Sequence, residues 1–132
     1  MIGYLLNILI IIILKLLFQQ PRPKERLDQF YAKRANGRLY YYDYGMPSGH
    51  AESTFFSTVY IWLATQNVWI TAVYFIICWA TIYQRLISNS HDIWQIIVGA
   101  ILGSLFAYVV AVYVKRMIPG VLKRKLEEYG PR

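Results

Sequence analysis

The chain has 132 residues, of which 57% are hydrophobic and only 16% charged, and its net charge is +7. An ordinary soluble domain is about a quarter charged, so polar side chains are too few to cover a water-facing surface, and the same proportions exclude a disordered tail. The single cysteine, Cys78, excludes an intramolecular disulfide and a cysteine-based metal cluster; the basic excess lies between apolar runs and points to a membrane surface or a phosphorylated lipid, not to nucleic acid.

Four apolar segments predict an all-α fold, an integral membrane bundle of four transmembrane helices forming a single domain over residues 1–132. The first runs over 2–18 and is broken only by Asn7 and Lys15. At about 1.5 Å per residue it spans ~25 Å, short for a hydrocarbon core of about 30 Å. No basic residue precedes it and no small-residue cleavage site follows, which argues against a secretory signal. A basic, aromatic loop over 19–46 comes next. In it Leu27, Phe30, Tyr31 and Arg34 recur at helical spacing, predicting a short helix on the membrane surface. Tyr40, Tyr41, Tyr42 and Tyr44 fit an aromatic belt, with the lining of a substrate entrance as the alternative.

The second segment, 51–65, is the least apolar; its Glu52, Ser53, Thr54, Ser57 and Thr58 must face protein or water. A tight turn at Gln66-Asn67 leads to the third segment, 68–82, where Cys78 reads as an apolar filler. A short polar stretch over 83–92 precedes the fourth segment, 93–114, and a basic tail over 115–132 whose Lys123, Arg124 and Lys125 would touch anionic headgroups. Four spans place the long loop and the short polar stretch on one side, and both termini on the other.

Polar residues that membrane helices avoid gather at that first side. Lys15 ends the first segment, and Arg22 follows between two prolines. Ser48, Gly49 and His50 open the second, Arg85 ends the third, and His91 opens the fourth with Gln95 one turn on. Lys15, Arg22 and Arg85 supply fixed cations, and the two arginines add planar forks of donors for phosphate oxygens. The start of the second helix supplies unpaired backbone N–H groups, and Gly49 lets an anion approach them. Together these are the parts of a phosphate-handling site. Glu52 and Asp92 are the nearest acids, too few for a dedicated metal site.

Lys15-x6-Arg22-Pro23, then Pro47-Ser48-Gly49-His50, then Arg85-x5-His91 resembles the three-part signature of the type 2 phosphatidic-acid phosphatase superfamily of membrane lipid phosphatases. The match is to the catalytic core without the two leading helices of commoner members. The resemblance implies a lipid-phosphate substrate and no cofactor or metal. It also implies a phosphohistidine route in which His91 attacks phosphorus and His50 first protonates the leaving oxygen, then activates water. Lys15, Arg22, Arg85, Ser48 and Gly49 are then the phosphate-binding set.

The family commonly has Asp where this chain has Gln95. That Gln, with Tyr44-Gly45-Met46 ahead of Pro47, is most similar to the dolichyl-diphosphatase branch, which implies a polyprenyl or dolichyl diphosphate as substrate. Gln95 lies one turn beyond His91 on the same face and can accept from a ring N–H, although it brings no negative charge. Ser90 is the expected cap of that helix.

The same face continues through Gly99, Gly103, Ala107 and Ala111, a seam of small residues for close packing inside the bundle, with a homodimer contact as the alternative. Two other readings stay open: a phosphatidate or phosphatidylglycerophosphate phosphatase, and a non-catalytic protein that binds lipid phosphate. Retention of both histidines favours an enzyme. With the site cations set aside, basic residues are slightly more numerous in the tail, which places the tail in the cytoplasm and the catalytic face toward a lumen or periplasm.

Overall fold

The computed structural model describes residues 2–20, 22 and 44–129. They form helices α1 (Ile2–Phe18), α2 (Gly49–Thr65), α3 (Val68–Ile87) and α4 (Ile93–Tyr129). The surface helix expected around Leu27–Arg34 and the tyrosines Tyr40, Tyr41 and Tyr42 lie outside the described residues. Two helices are long and apolar enough to cross a membrane, α3 and the Ile93–Pro119 part of α4, while α1 holds a shorter apolar stretch, Leu5–Phe18.

Helix α2 is the hub of the bundle, packed mainly against α4 and also against α3 and α1. Its hydroxyl residues do not break it. Thr54, Ser57 and Thr58 each donate to the carbonyl four residues back, at 2.9, 2.9 and 2.8 Å, which satisfies them without water. The Gln66-Asn67 turn ends one helix and starts the next. Gln66, at φ 52°, closes α2 by donating its N–H to the Trp62 carbonyl at 3.0 Å. The Asn67 side chain caps α3 by accepting from the amides of Trp69 and Ile70 at 3.0 and 3.1 Å.

Two helices run beyond their expected limits. α3 continues from 82 to Ile87, and α4 continues from 114 to Tyr129, through Pro119, as a helix of 37 residues. The end of an apolar run does not mark where its helix stops. α3 stops at the Ser88-Asn89 turn, where Asn89 takes φ 46°, and the Lys and Arg residues after 114 are good helix formers.

The expected seam faces inward. Gln95, Ala107 and Ala111 are buried, as are Gly99 and Gly103, and the face is taken by α2 of the same chain. A Cβ on Gly99 would stand 2.6 Å from the Ser48 carbonyl oxygen, and one on Gly103 would stand 2.9 Å from the Glu52 carbonyl carbon. Only glycine allows the two backbones this close. Further along, Phe56 of α2 meets Phe106 of α4 with ring centroids 5.6 Å apart. Cys78 is buried beside Ala51, Ile82 and Ile96, a filler as expected.

Candidate active site

The polar helix ends meet around a cavity of about 450 Å³ lined by Lys15, Arg22, Gly49, His50, Ser53, Thr54, Thr81 and His91, and on its α1 side by Ile8, Ile11 and Ile12. Of the residues singled out in the sequence, Lys15, Arg22, Gly49, His50 and His91 thus line one space. Arg85 does not line it. It lies half-buried in the last turn of α3, where its charge reaches His50, and its buried Nε has no partner among the described residues.

Lys15 is reached by α1 and held at the cavity by donating from Nζ to the Tyr44 carbonyl. Gln19 turns the chain out of α1 with φ 45°, and the Gly45 amide donates to the Gln20 carbonyl at 2.7 Å. This ties the segment before α2 to the end of α1. Arg22 donates to the Ser90 carbonyl at 3.3 Å, beside His91. Ser48 is fully buried and caps α2 by accepting from the Ala51 amide at 3.5 Å, and it is not among the residues that line the cavity. The amides of Gly49 and His50 precede the first bonds of α2 and carry its positive end toward the cavity.

His91 is 3% exposed, and its Nδ1 lies 3.2 Å from Gln95 Oε1. The same oxygen accepts from the Asp92 amide at 3.3 Å. Gln95 is therefore the third residue of α4 reaching back to the residue that precedes it, one half of a capping box, and it orients the histidine with the same atom. Both bonds need Oε1 as acceptor, which puts the ring proton on Nδ1 and leaves Nε2 with a lone pair. Ser90 is not the cap: its hydroxyl pairs with that of Ser88 at 2.7 Å. Burial pushes the His91 ring down to about 3, helped by the charges of Arg22 and Lys15 and opposed by the bonds to Gln95 and Gly45, so the ring is neutral at physiological pH.

The sequence shows Gly45 only as part of a branch pattern and not its place against Gln95. A Cβ there would lie 2.7 Å from Gln95 Cδ, so glycine makes room for the orienting amide. The Ser48 amide also donates to the Gln95 carbonyl at 3.1 Å, tying the start of α2 to the start of α4. The aliphatic wall of Ile8, Ile11 and Ile12 was equally hidden, because an isoleucine facing a cavity and one facing lipid look the same in the chain. Among the described residues there is no group of three or more His, Cys, Asp or Glu side chains placed to hold a metal ion.

A neutral, oriented imidazole, cations and a helix start thus meet around one cavity. The model of the PAP2 superfamily matches residues 1–119, and the chain belongs to that superfamily. It is also 33% identical over 113 residues to lipid phosphate phosphatase epsilon 1, a chloroplastic protein of Arabidopsis thaliana; the match covers 80% of this chain and 36% of that protein. No solved structure matches.

Proposed function

We propose that the protein is a four-span integral membrane phosphatase that hydrolyses a polyprenyl or dolichyl diphosphate to the monophosphate, without a metal, through a phosphohistidine. The observation that carries this reading is the cavity itself: Lys15, Arg22, His50 and His91 on one part of its wall, and Ile8, Ile11 and Ile12 on another. A lipid phosphate has that division of charge and hydrocarbon. The exposed apolar surface supports membrane insertion; Trp69, Val73, Ile76 and Trp79 of α3 are 82, 56, 67 and 55% exposed. A lumenal or periplasmic catalytic face belongs to the same reading.

In the first step the lone pair on His91 Nε2 attacks the terminal phosphorus. An N–P bond forms, the P–O bond to the leaving phosphate breaks, and His50 gives that oxygen its proton. Water then attacks the phosphohistidine, His50 takes the proton from it, and inorganic phosphate leaves with His91 restored. Lys15, Arg22 and the α2 amides stabilise charge on the equatorial oxygens in both steps. Gln95 keeps the ring proton on Nδ1, so that Nε2 is the attacking atom.

Phosphate release by the purified protein, in EDTA, from polyprenyl diphosphate, phosphatidate and phosphatidylglycerophosphate tests the proposal. Preference for the diphosphate is expected. Preference for either glycerolipid moves the substrate class, and no release from any of them leaves the lipid-phosphate binder.

A further inference from the structure

Over residues 5–18 the buried positions of α1 are Asn7, Ile11 and Lys15, at 0, 9 and 7% exposure, four residues apart on one face. Leu5, Leu9, Ile13, Leu16 and Leu17 are roughly half or more exposed. In lipid such a helix gains little by turning one isoleucine or another toward its neighbours, because hydrocarbon is as good a surrounding as protein. Its rotation and depth are therefore set by its polar contacts. Among the described residues these lie at two places, and one is Lys15 to the Tyr44 carbonyl, within the site. The other lies two turns away: Asn7 Nδ2 donates to Glu52 Oε2 at 2.8 Å, and at 3.5 Å to Ser53 Oγ, where neither Asn7 nor Glu52 meets solvent.

Glu52 is a fixed acceptor. Its backbone is clamped from behind by Gly103 of α4, and the Ser53 hydroxyl donates to the same carboxylate oxygen at 3.4 Å. Ser53 in turn lines the cavity. Neither Asn7 nor Glu52 lines it. We propose that Asn7 and Glu52 are positioning residues, a buried pin that fixes the rotation and depth of α1 against the rigid α2–α4 pair and so holds Lys15 at the phosphate cavity. The pin stands on geometry alone, while the phosphate role of Lys15 rests on the function proposed above.

The test replaces both partners, Asn7→Leu with Glu52→Leu, because removing one strands the other in an apolar surround, whereas removing both is tolerated far better. Asn7→Ser is a milder second variant if the pair does not fold. Spin labels on cysteines introduced at Leu16 and Trp94, both exposed, in a Cys78→Ala background report the distance from the end of α1 to the start of α4. A narrow distribution is expected in the parent and in Glu52→Gln, which keeps an acceptor for Asn7, and a broad or shifted one in the test variants. The kcat/KM for lipid phosphate should fall about 10- to 100-fold with them, the range expected for an ångström-scale misplacement, and fall no further when Lys15→Ala is already present. An unchanged distance distribution overturns the pin, and so does a loss of activity that adds in full to that of Lys15→Ala. If the parent releases no phosphate while the distribution still broadens, the pin stands and the phosphatase reading fails.

Discussion

Gln95 is the residue on which enzyme and binder part, and Gln95→Ala is the most informative change at the site. It removes one oxygen that accepts two bonds, from His91 Nδ1 at 3.2 Å and from the Asp92 amide at 3.3 Å. Losing the capping bond from the Asp92 amide costs about 1 kcal/mol of stability, and stranding the buried Nδ1–H of His91 about 1–3 kcal/mol. The larger effect falls on turnover. Without its acceptor the ring can move its proton to Nε2, where it blocks attack, and it can rotate away from phosphorus. A drop in kcat of one to three decades follows, each decade being about 1.4 kcal/mol of transition-state stabilisation. KM should change little, because Gln95 does not line the cavity.

Gln95→Glu, of equal reach, should keep both bonds and add a charge that favours the imidazolium, so its turnover should match or exceed the parent's. Gln95→Asp, one methylene shorter, should fall between Glu and Ala. Steady-state kinetics on a polyprenyl diphosphate, beside a thermal unfolding scan, separates catalysis from folding. An alanine variant within threefold of the parent refutes the orienting role, and an inactive parent switched on by Gln95→Asp refutes the enzyme.

Gly45→Ala should reproduce the Gln95→Ala phenotype, because its Cβ would displace the Gln95 amide; the double variant should be no worse than either, and full additivity contradicts the shared route. Gly103→Ala should lower the unfolding temperature by forcing α2 and α4 apart, at about 1–3 kcal/mol, and an unchanged unfolding temperature refutes the close seam. The chain has two histidines, so nitrogen NMR with His50→Asn as the assignment control isolates His91. It should stay neutral with its proton on Nδ1 from pH 8 to 5. An unfolded histidine titrates near 6.5 and the folded ring near 3, so between those values the unfolded chain binds more protons. The stability gained by burying the neutral ring is complete above about 6.5 and is lost as pH falls toward 3; titration of His91 between pH 6 and 7 contradicts it.

Much of the site was legible because its chemistry conflicts with its surroundings. Lys15, Arg22, His50 and His91 stand at the ends of apolar runs, where charge is costly, and a single cavity collects them. The small-residue seam was legible for the related reason that glycines at four-residue spacing weaken a helix unless a neighbour comes close. Helix ends were less so. The apolar run of the third segment stops at 82, yet hydrogen bonding carries α3 to Ile87 and sets Arg85 in its last turn. Ser48 shows a different limit: a serine at a helix start fits capping and phosphate binding equally well on paper, and the bond from the Ala51 amide that shows the cap is seen only in the structure. The Asn7–Glu52 pair was out of reach because its partners lie 45 residues apart and nothing local links them.

The covalent step is the centre of the account, and trapping it is the most direct measurement. The purified protein is mixed for milliseconds with a polyprenyl diphosphate labelled with ³²P in its terminal phosphate. The reaction is quenched in alkali, where phosphohistidine survives, and the labelled peptide is sequenced by mass spectrometry. Label is expected on His91, lost on acid treatment and absent from His91→Ala. Turnover with no trapped label on His91, or label incorporated by His91→Ala, would contradict it.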